Sequence, residues 1–277
     1  MPVVPAEAGI QAWEGVDPEG TGVKPAMMLR TEGLTKHFGG LTAVSGITLE
    51  VQDGTIHSII GPNGAGKTTL FNMLTGEIPV SRGEVYFKGR KITGLKPYQI
   101  ARIGIGRSFQ QNRLFRRLTV VENVRLACHA LESGHFSPFR DFLSFSRPVG
   151  KAWQILEELG ITSIAAKRAE ALPHGQQRIL EIALALAAEP VLLLLDEPTS
   201  GTSPEDSVRM IRLLRKLGQR LTMVLIEHNM NLVMSISSTI TVLCQGEIIA
   251  SGTPAEIERD ETVRKAYLGG HGGAQTR

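Results

Sequence analysis

Two cysteines, Cys128 and Cys244, stand far apart in 277 residues. Neither a disulfide framework nor a thiolate metal cluster is available to this chain, and a reducing compartment is the simpler expectation. An excess of one charge is missing as well. Thirty Lys and Arg against 27 Asp and Glu leave a formal charge of +3, and without a block of like charges a dominant nucleic-acid surface is not indicated, so nucleic acid is not an expected partner. The longest apolar stretches, residues 182–188 and 191–195, fall far short of the roughly 20 residues a membrane helix requires. The opening MPVVPAEAGI lacks the basic start and apolar run of a secretory signal, which makes the cytoplasm the expected location. What is present, 42% hydrophobic and 21% charged residues, suits a globular chain with one good core.

The texture changes along the chain. Residues 1–26 are rich in Pro, Gly, Glu and Ala without a sustained period and read as a disordered tail, with a second flexible tail at 270–277. Between them, 27–269 reads as one domain. Strand-like runs occur at 28–32, 47–51, 55–60 and 84–87, with turns at Asp53-Gly54 and Lys88-Gly89. About 120–175 the spacing becomes helical, as in 121–126 and 152–159, and this stretch reads as a helical insertion. Strands return at 191–195 and 223–226, each after a helix-like stretch, which is the alternation of a mainly parallel α/β sheet. A hairpin at 240–251 and a helix capped by Thr253-Pro254-Ala255-Glu256 follow.

The most specific chemistry is at Gly61-Pro62-Asn63-Gly64-Ala65-Gly66-Lys67-Thr68-Thr69, a phosphate-loop pattern directly after an apolar strand. Glycines let the loop turn its amide N–H groups inward, where side chains would block a phosphate. Lys67 is expected to reach the β- and γ-phosphates of ATP or GTP, and Thr68 to place its hydroxyl on Mg²⁺. The helix beginning near Lys67 directs its positive end at the same anion. A second element, Leu192-Leu193-Leu194-Leu195-Asp196-Glu197, is an apolar strand ending in two carboxylates, where ligands of parallel sheets collect. Asp196 is expected to hold Mg²⁺, and Glu197 to act as general base on the attacking water.

Between these elements lies Leu172-Pro173-His174-Gly175-Gln176-Gln177-Arg178, and after the next strand a lone His228. In this order the segments resemble the ATP-binding subunits of ABC transporters, over roughly residues 28–269. Phe109-Gln110-Gln111-Asn112-Arg113-Leu114-Phe115, Ile226-Glu227-His228-Asn229-Met230 and the ending from Ser251-Gly252-Thr253-Pro254 to Ala266-Tyr267-Leu268-Gly269 are similar to the branched-chain amino acid importer branch, which includes relatives serving urea and short amides.

The resemblance implies an ABC ATPase fold: a P-loop NTPase core with a mainly parallel sheet, an antiparallel β subdomain and a helical insertion. It implies that Phe38 stacks on adenine, that Gln110 touches Mg²⁺ or the attacking water and links the site to the membrane subunits, and that His228 contacts the γ-phosphate. It implies that His174, Gly175 and Gln176 complete the ATP site of an opposite subunit. ATP and Mg²⁺ are the expected ligands. The expected partners are a second ATP-binding subunit, two transmembrane permease subunits and, indirectly, an extracytoplasmic solute-binding protein, at the cytoplasmic face of the inner membrane. Two departures stand out. Pro173 replaces the usual signature serine, removing a hydroxyl and an amide donor, and Thr202-Ser203 replace the usual leucine and Asp or Asn. Because of Pro173, a regulatory nucleotide-binding module with weak hydrolysis is the first alternative; a soluble, non-transport ATPase is the second.

Overall fold

A computed structural model describes residues 26–108, 114–130 and 146–268. Apart from Ala26, the expected tails lie outside the described residues, as does Gln110. The chain opens with β1 (Met27–Phe38), β2 (Leu41–Ile47) and β3 (Glu50–Gln52), and β4 (Ile56–Ile60) then leads into α1 (Lys67–Leu74). Next come β5 (Arg82–Phe87), β6 (Arg90–Lys91), α2 (Pro97–Arg102) and β7 (Ile105–Arg107). The insertion contains α3 (Val120–Ala130), α4 (Ser146–Glu158) and two short 3-10 turns, before α5 (His174–Leu186) returns to the sheet at β8 (Leu192–Asp196). The last part runs α6 (Pro204–Gly218), β9 (Thr222–Ile226), α7 (Met230–Ile236), β10 (Thr239–Cys244), β11 (Glu247–Gly252), α8 (Pro254–Arg259) and α9 (Glu261–Leu268).

Two sheets result. One has the order β11-β10-β4-β9-β8-β7, parallel except for the antiparallel β10–β11 hairpin. The other is antiparallel, in the order β2-β1-β5-β6 with β3 also on β1. Every residue of β4, β8 and β9 is buried, and period-two alternation divides their side chains between two cores. Ile60, Leu193, Leu195, Met223 and Leu225 join the helices on one face. Ile59, Leu192, Leu194, Val224 and Ile226 pack with α1 and the antiparallel sheet on the other. Each such aliphatic side chain contributes about 1.5–3 kcal/mol on burial, so the strand ends that carry the chemistry sit on the best-packed part of the chain.

The expected single strand at 47–51 is two strands in the structure. Thr31, fully buried in β1, donates its hydroxyl to the Ile47 carbonyl and accepts from the Leu49 amide, both at 2.9 Å. Its side chain fills the place where β1 changes partner from β2 to β3, satisfying groups that a continuous ladder would otherwise pair. The capped helix expected at Thr253 forms as α8, where Thr253 and Glu256 make a reciprocal capping box.

Candidate functional site

The loop between β4 and α1 is shaped by two close backbone approaches. Gly61 has φ +153 and a Cβ there would strike the Leu243 carbonyl; at Gly66, φ +97, a Cβ would lie 2.5 Å from the Ala43 carbonyl oxygen. Only glycine fits both positions. The same contacts fix the loop's surroundings: the β10–β11 turn lies against it through a hydrogen bond from the Gly246 amide to the Ala65 carbonyl at 3.1 Å, and the Ser45 amide reaches the Gly246 carbonyl at 2.8 Å. Lys67 opens α1, 7% exposed, and its ammonium donates to the carbonyls of Gly61 at 2.8 Å and Pro62 at 3.0 Å. Burial pushes this lysine below its usual range, while the charges of Glu197 and Asp196 pull it back up. The cation is thus held across the mouth of its own loop, in the field of two carboxylates.

Asp196, at the end of β8, is 1% exposed, and both its carboxylate oxygens are buried without a hydrogen-bond partner. Arg107 Nη2 stands 3.8 Å away. Burial raises the Asp196 carboxyl to about 6, partly offset by the Arg107 guanidinium and reinforced by the Glu197 charge. A buried, unsatisfied carboxylate beside a phosphate loop is a site that fits a divalent cation. Among the described residues no three His, Cys, Asp or Glu side chains gather as metal ligands, so such a cation would draw its remaining ligands from Thr68, phosphate oxygens and water.

Glu197 adopts φ +49, a conformation that carries strain in a non-glycine residue and is found at sites where the surroundings enforce it. Its amide is held by the Ile226 carbonyl at 2.8 Å, and its Oε1 accepts a hydrogen bond from His228 Nε2 at 2.7 Å. The carboxylate and imidazole come from the ends of neighbouring parallel strands, β8 and β9, and both keep access to solvent. A water placed between them and a phosphate could be deprotonated or oriented by this pair.

The structure therefore brings together Gly61, Pro62, Asn63, Gly64, Ala65, Gly66, Lys67, Thr68, Thr69, Asp196, Glu197 and His228 at the carboxyl ends of the central strands β4, β8 and β9. Phe38 ends β1, 49% exposed, on the hairpin that packs against Gly66, with Lys36 Nζ 5.0 Å from its ring centre. An open aromatic face there suits stacking on a planar base. His174, Gly175 and Gln176 do not join this cluster. They open α5, whose cap residue is Pro173 and which no side chain caps. Their neighbours are in the chain that follows Glu197: a Cβ at Gly201 would lie 3.4 Å from the His174 ring, and one at Gly175 would lie 2.6 Å from an Asp206 oxygen.

Two residues went unmarked by sequence reasoning. Arg107 pairs with Asp196, donates to the Thr75 hydroxyl at 2.8 Å and lies 6.0 Å from the Phe71 ring, joining the far end of α1 to the carboxylate. A lone cation in the short apolar run Ile105-Gly106-Arg107 was its only signal. Glu227 directly follows the apolar run 223–226 of β9 as Asp196 follows the apolar run of β8, and that parallel was available in the sequence.

Phosphate loop, strand-end carboxylates and a histidine from the next strand define a nucleoside-triphosphatase cassette. The sequence model of the ABC transporter family matches residues 44–200, and that of the C-terminal segment of branched-chain amino acid ATP-binding cassette transporters matches 247–272. The chain belongs to the ABC transporter ATP-binding family. It is 43% identical over 251 residues to the high-affinity branched-chain amino acid transport ATP-binding protein LivG of Salmonella typhimurium, covering 87% of this chain and 98% of that protein. Identity to BraF of Pseudomonas aeruginosa, which has the same description, is 43% over 249 residues, with the same coverage. Among solved structures, a nucleotide-free ATP-binding cassette from an ABC transporter superposes with TM-score 0.78 at 30% identity, over 87% of this chain and 98% of that one. A cassette in its ADP conformation gives the same TM-score and identity, over 88% and 99%.

Proposed function

We propose that this chain is the Mg²⁺-dependent, ATP-hydrolysing subunit of an importer for branched-chain amino acids or related small amide or urea solutes. The observation that carries the reading is the 2.7 Å Glu197–His228 hydrogen bond beside the buried Asp196 carboxylate, whose oxygens accept no hydrogen bond. Phe38 stacks on adenine, and the amides of 61–69 with Lys67 bind the phosphates. Thr68, Asp196 and Gln110 would hold Mg²⁺, which when bound would neutralise charge on the phosphates. Glu197 takes the proton of the attacking water while His228 orients that water against the γ-phosphate. Most of the rate enhancement is positioning and charge stabilisation.

Within this reading 27–269 is the ATPase domain, and 120–175 is the insertion that meets the permeases beside Gln110. Two ATP-binding subunits close on two ATP, each site completed by His174, Gly175 and Gln176 of the opposite copy or of a related chain, and hydrolysis reopens them. No described helix is long and apolar enough to cross a membrane; attachment to the cytoplasmic face follows from binding two permease subunits, with a solute-binding protein outside. Uptake of radiolabelled leucine and of urea by cells carrying either the native chain or Glu197→Gln tests the proposal. Loss of one uptake activity in the variant supports it and names the solute class; unchanged uptake of both, with normal ATP turnover, overturns it.

A further inference from the structure

Glu227 is 2% exposed and has no part in the mechanism above, yet its carboxylate is saturated with donors. Its Oε1 accepts from the Thr199 amide at 2.9 Å and the Thr199 hydroxyl at 2.6 Å. Its Oε2 accepts from the His228 amide at 2.9 Å and the Asn229 amide at 3.1 Å. One oxygen therefore holds the loop after β8 and the other holds the loop after β9. Hydrogen bonds to an ionised acceptor are the strong ones, and withdrawing either pair would leave a buried charge short of partners. The two loops are fastened as one body.

The fastening continues outward on both sides. The Thr202 hydroxyl donates to the Thr199 carbonyl at 2.8 Å and lies 2.9 Å from the Ser207 hydroxyl on α6. The Asn229 side chain accepts from the Leu232 amide at 3.2 Å and caps α7. Glu197 lies two residues before Thr199, and His228 directly follows Glu227. The carboxylate thus stands behind the Glu197–His228 contact and joins it to the starts of two helices.

We propose that Glu227 is a positioning residue for ATP hydrolysis: by binding Thr199 with one oxygen and His228 and Asn229 with the other, it holds Glu197 and His228 in register and couples that register to the 200–203 segment leading into α6. The inference rests on the assignment of Glu197 and His228 to hydrolysis. A glutamine at 227 keeps the shape but turns one acceptor into an NH₂ donor, which must then face either the Thr199 donors or the two amides of the other loop.

The test is steady-state ATP turnover by the full chain in its native complex. Glu227→Gln and Thr199→Val are each made alone and in a His228→Ala background. Misplacement of the pair by a fraction of an ångström should lower kcat about ten- to hundredfold for Glu227→Gln, with KM for Mg-ATP held within about twofold. Thr199→Val, which removes one hydroxyl and leaves the amide, should reproduce the pattern at smaller amplitude and serves if the glutamine variant does not fold. In the His228→Ala background either change should lower kcat by less than about threefold further, because one member of the pair whose mutual register it sets is gone. A full multiplicative loss in that background, or a rise in KM with unchanged kcat, overturns the proposal by making Glu227 a general structural support. Should His228→Ala and Glu197→Gln alone leave turnover normal, the assignment of the hydrolytic pair itself falls, and this inference with it.

Discussion

The loop at 61–69 and the start of α5 are both helix N-termini with backbone amides that need an acceptor, and this chain treats them in opposite ways. The first is built shut around its future ligand. Gly66 caps α1 in a left-handed conformation, Lys67 is pinned to two loop carbonyls, and the β10–β11 turn braces the loop from behind. The second has proline at its cap and, like the first, no capping side chain; beside it lie Gly201 and Asp206 of its own chain, and among the described residues no backbone hydrogen bond ties another loop to it as the β10–β11 turn is tied to the first. A loop braced by its own chain can bind by itself; the first amides of α5, with no side chain capping them, stay open to an acceptor brought from outside. Their difference in bracing is consistent with the proposal that α5 serves a site completed by an opposite subunit.

The comparison breaks most readily at Lys67. Replacing it with alanine removes the cation that faces the phosphates in a partly dehydrated site, where a charge-assisted contact is roughly twice as strong as a neutral one. Lys67→Ala should lose measurable Mg-ATP binding by isothermal titration, and unchanged affinity would end the phosphate-loop assignment. Glu197→Gln comes next. A neutral amide cannot take a proton, so turnover should fall by about 10²-fold or more with ATP affinity retained, and ATP-bound dimers should accumulate on size exclusion. Normal turnover would mean that another group activates the water.

A smaller effect concerns the strand beneath the loop. His57 in β4 is 2% exposed, 2.8 Å from the Thr241 hydroxyl, and burial lowers its pKa to about 4. Protons therefore bind the unfolded chain more readily than the folded one between the ordinary histidine value and 4, and the folded state loses stability as pH falls through that window. From pH 7 to pH 5 the loss is about 2 kcal/mol. Asp196, with its raised pKa, works in the opposite direction, so the measurement is a difference: denaturant midpoints of the native chain and of His57→Gln at the two pH values. A native chain no more acid-sensitive than His57→Gln would show that the imidazole is already solvated.

How much of this was legible beforehand follows from where the information sits. The loop at 61–69 and the strand ending in Asp196-Glu197 could be read because their chemistry is local: glycine positions, an apolar run, two acids in succession. Phe38 and His228 were marked only through resemblance, since a single aromatic or histidine has no pattern of its own. Arg107 and Glu227 were given no role, because the contacts that distinguish them are made in three dimensions, although Glu227 shared with Asp196 its place after an apolar run. Arg107 meets α1 and β8 at once, and Glu227 meets Thr199, which lies 28 residues before it in sequence. The division of 47–51 into two strands was invisible for a similar reason: it depends on Thr31, a residue of a different strand.

Pro173 is the place where the comparison can be sharpened with the least disturbance. A hydrogen bond to a charged group contributes about 1.5–3 kcal/mol, so in the proposed dimer the serine hydroxyl and amide missing from the cap of α5 would weaken closure on an opposite ATP by up to about a hundredfold if nothing compensates. His174 is one group positioned to do so: its ring packs beside Gly201 at the same helix start, where it can offer an imidazole N–H to a phosphate. Partial compensation predicts that Pro173→Ser raises ATP-dependent dimerisation or turnover by about several-fold, the smaller part of that range. The gain should appear at the ATP bound by the partner chain and leave affinity at this chain's own 61–69 loop unchanged. Turnover in a mixed dimer, with one phosphate-loop lysine disabled at a time, assigns the gain to one site. If serine brings no gain and His174→Ala brings a large loss, the histidine has taken over the contact, and the α5 terminus is as complete for its partner as the loop at 61–69 is for itself.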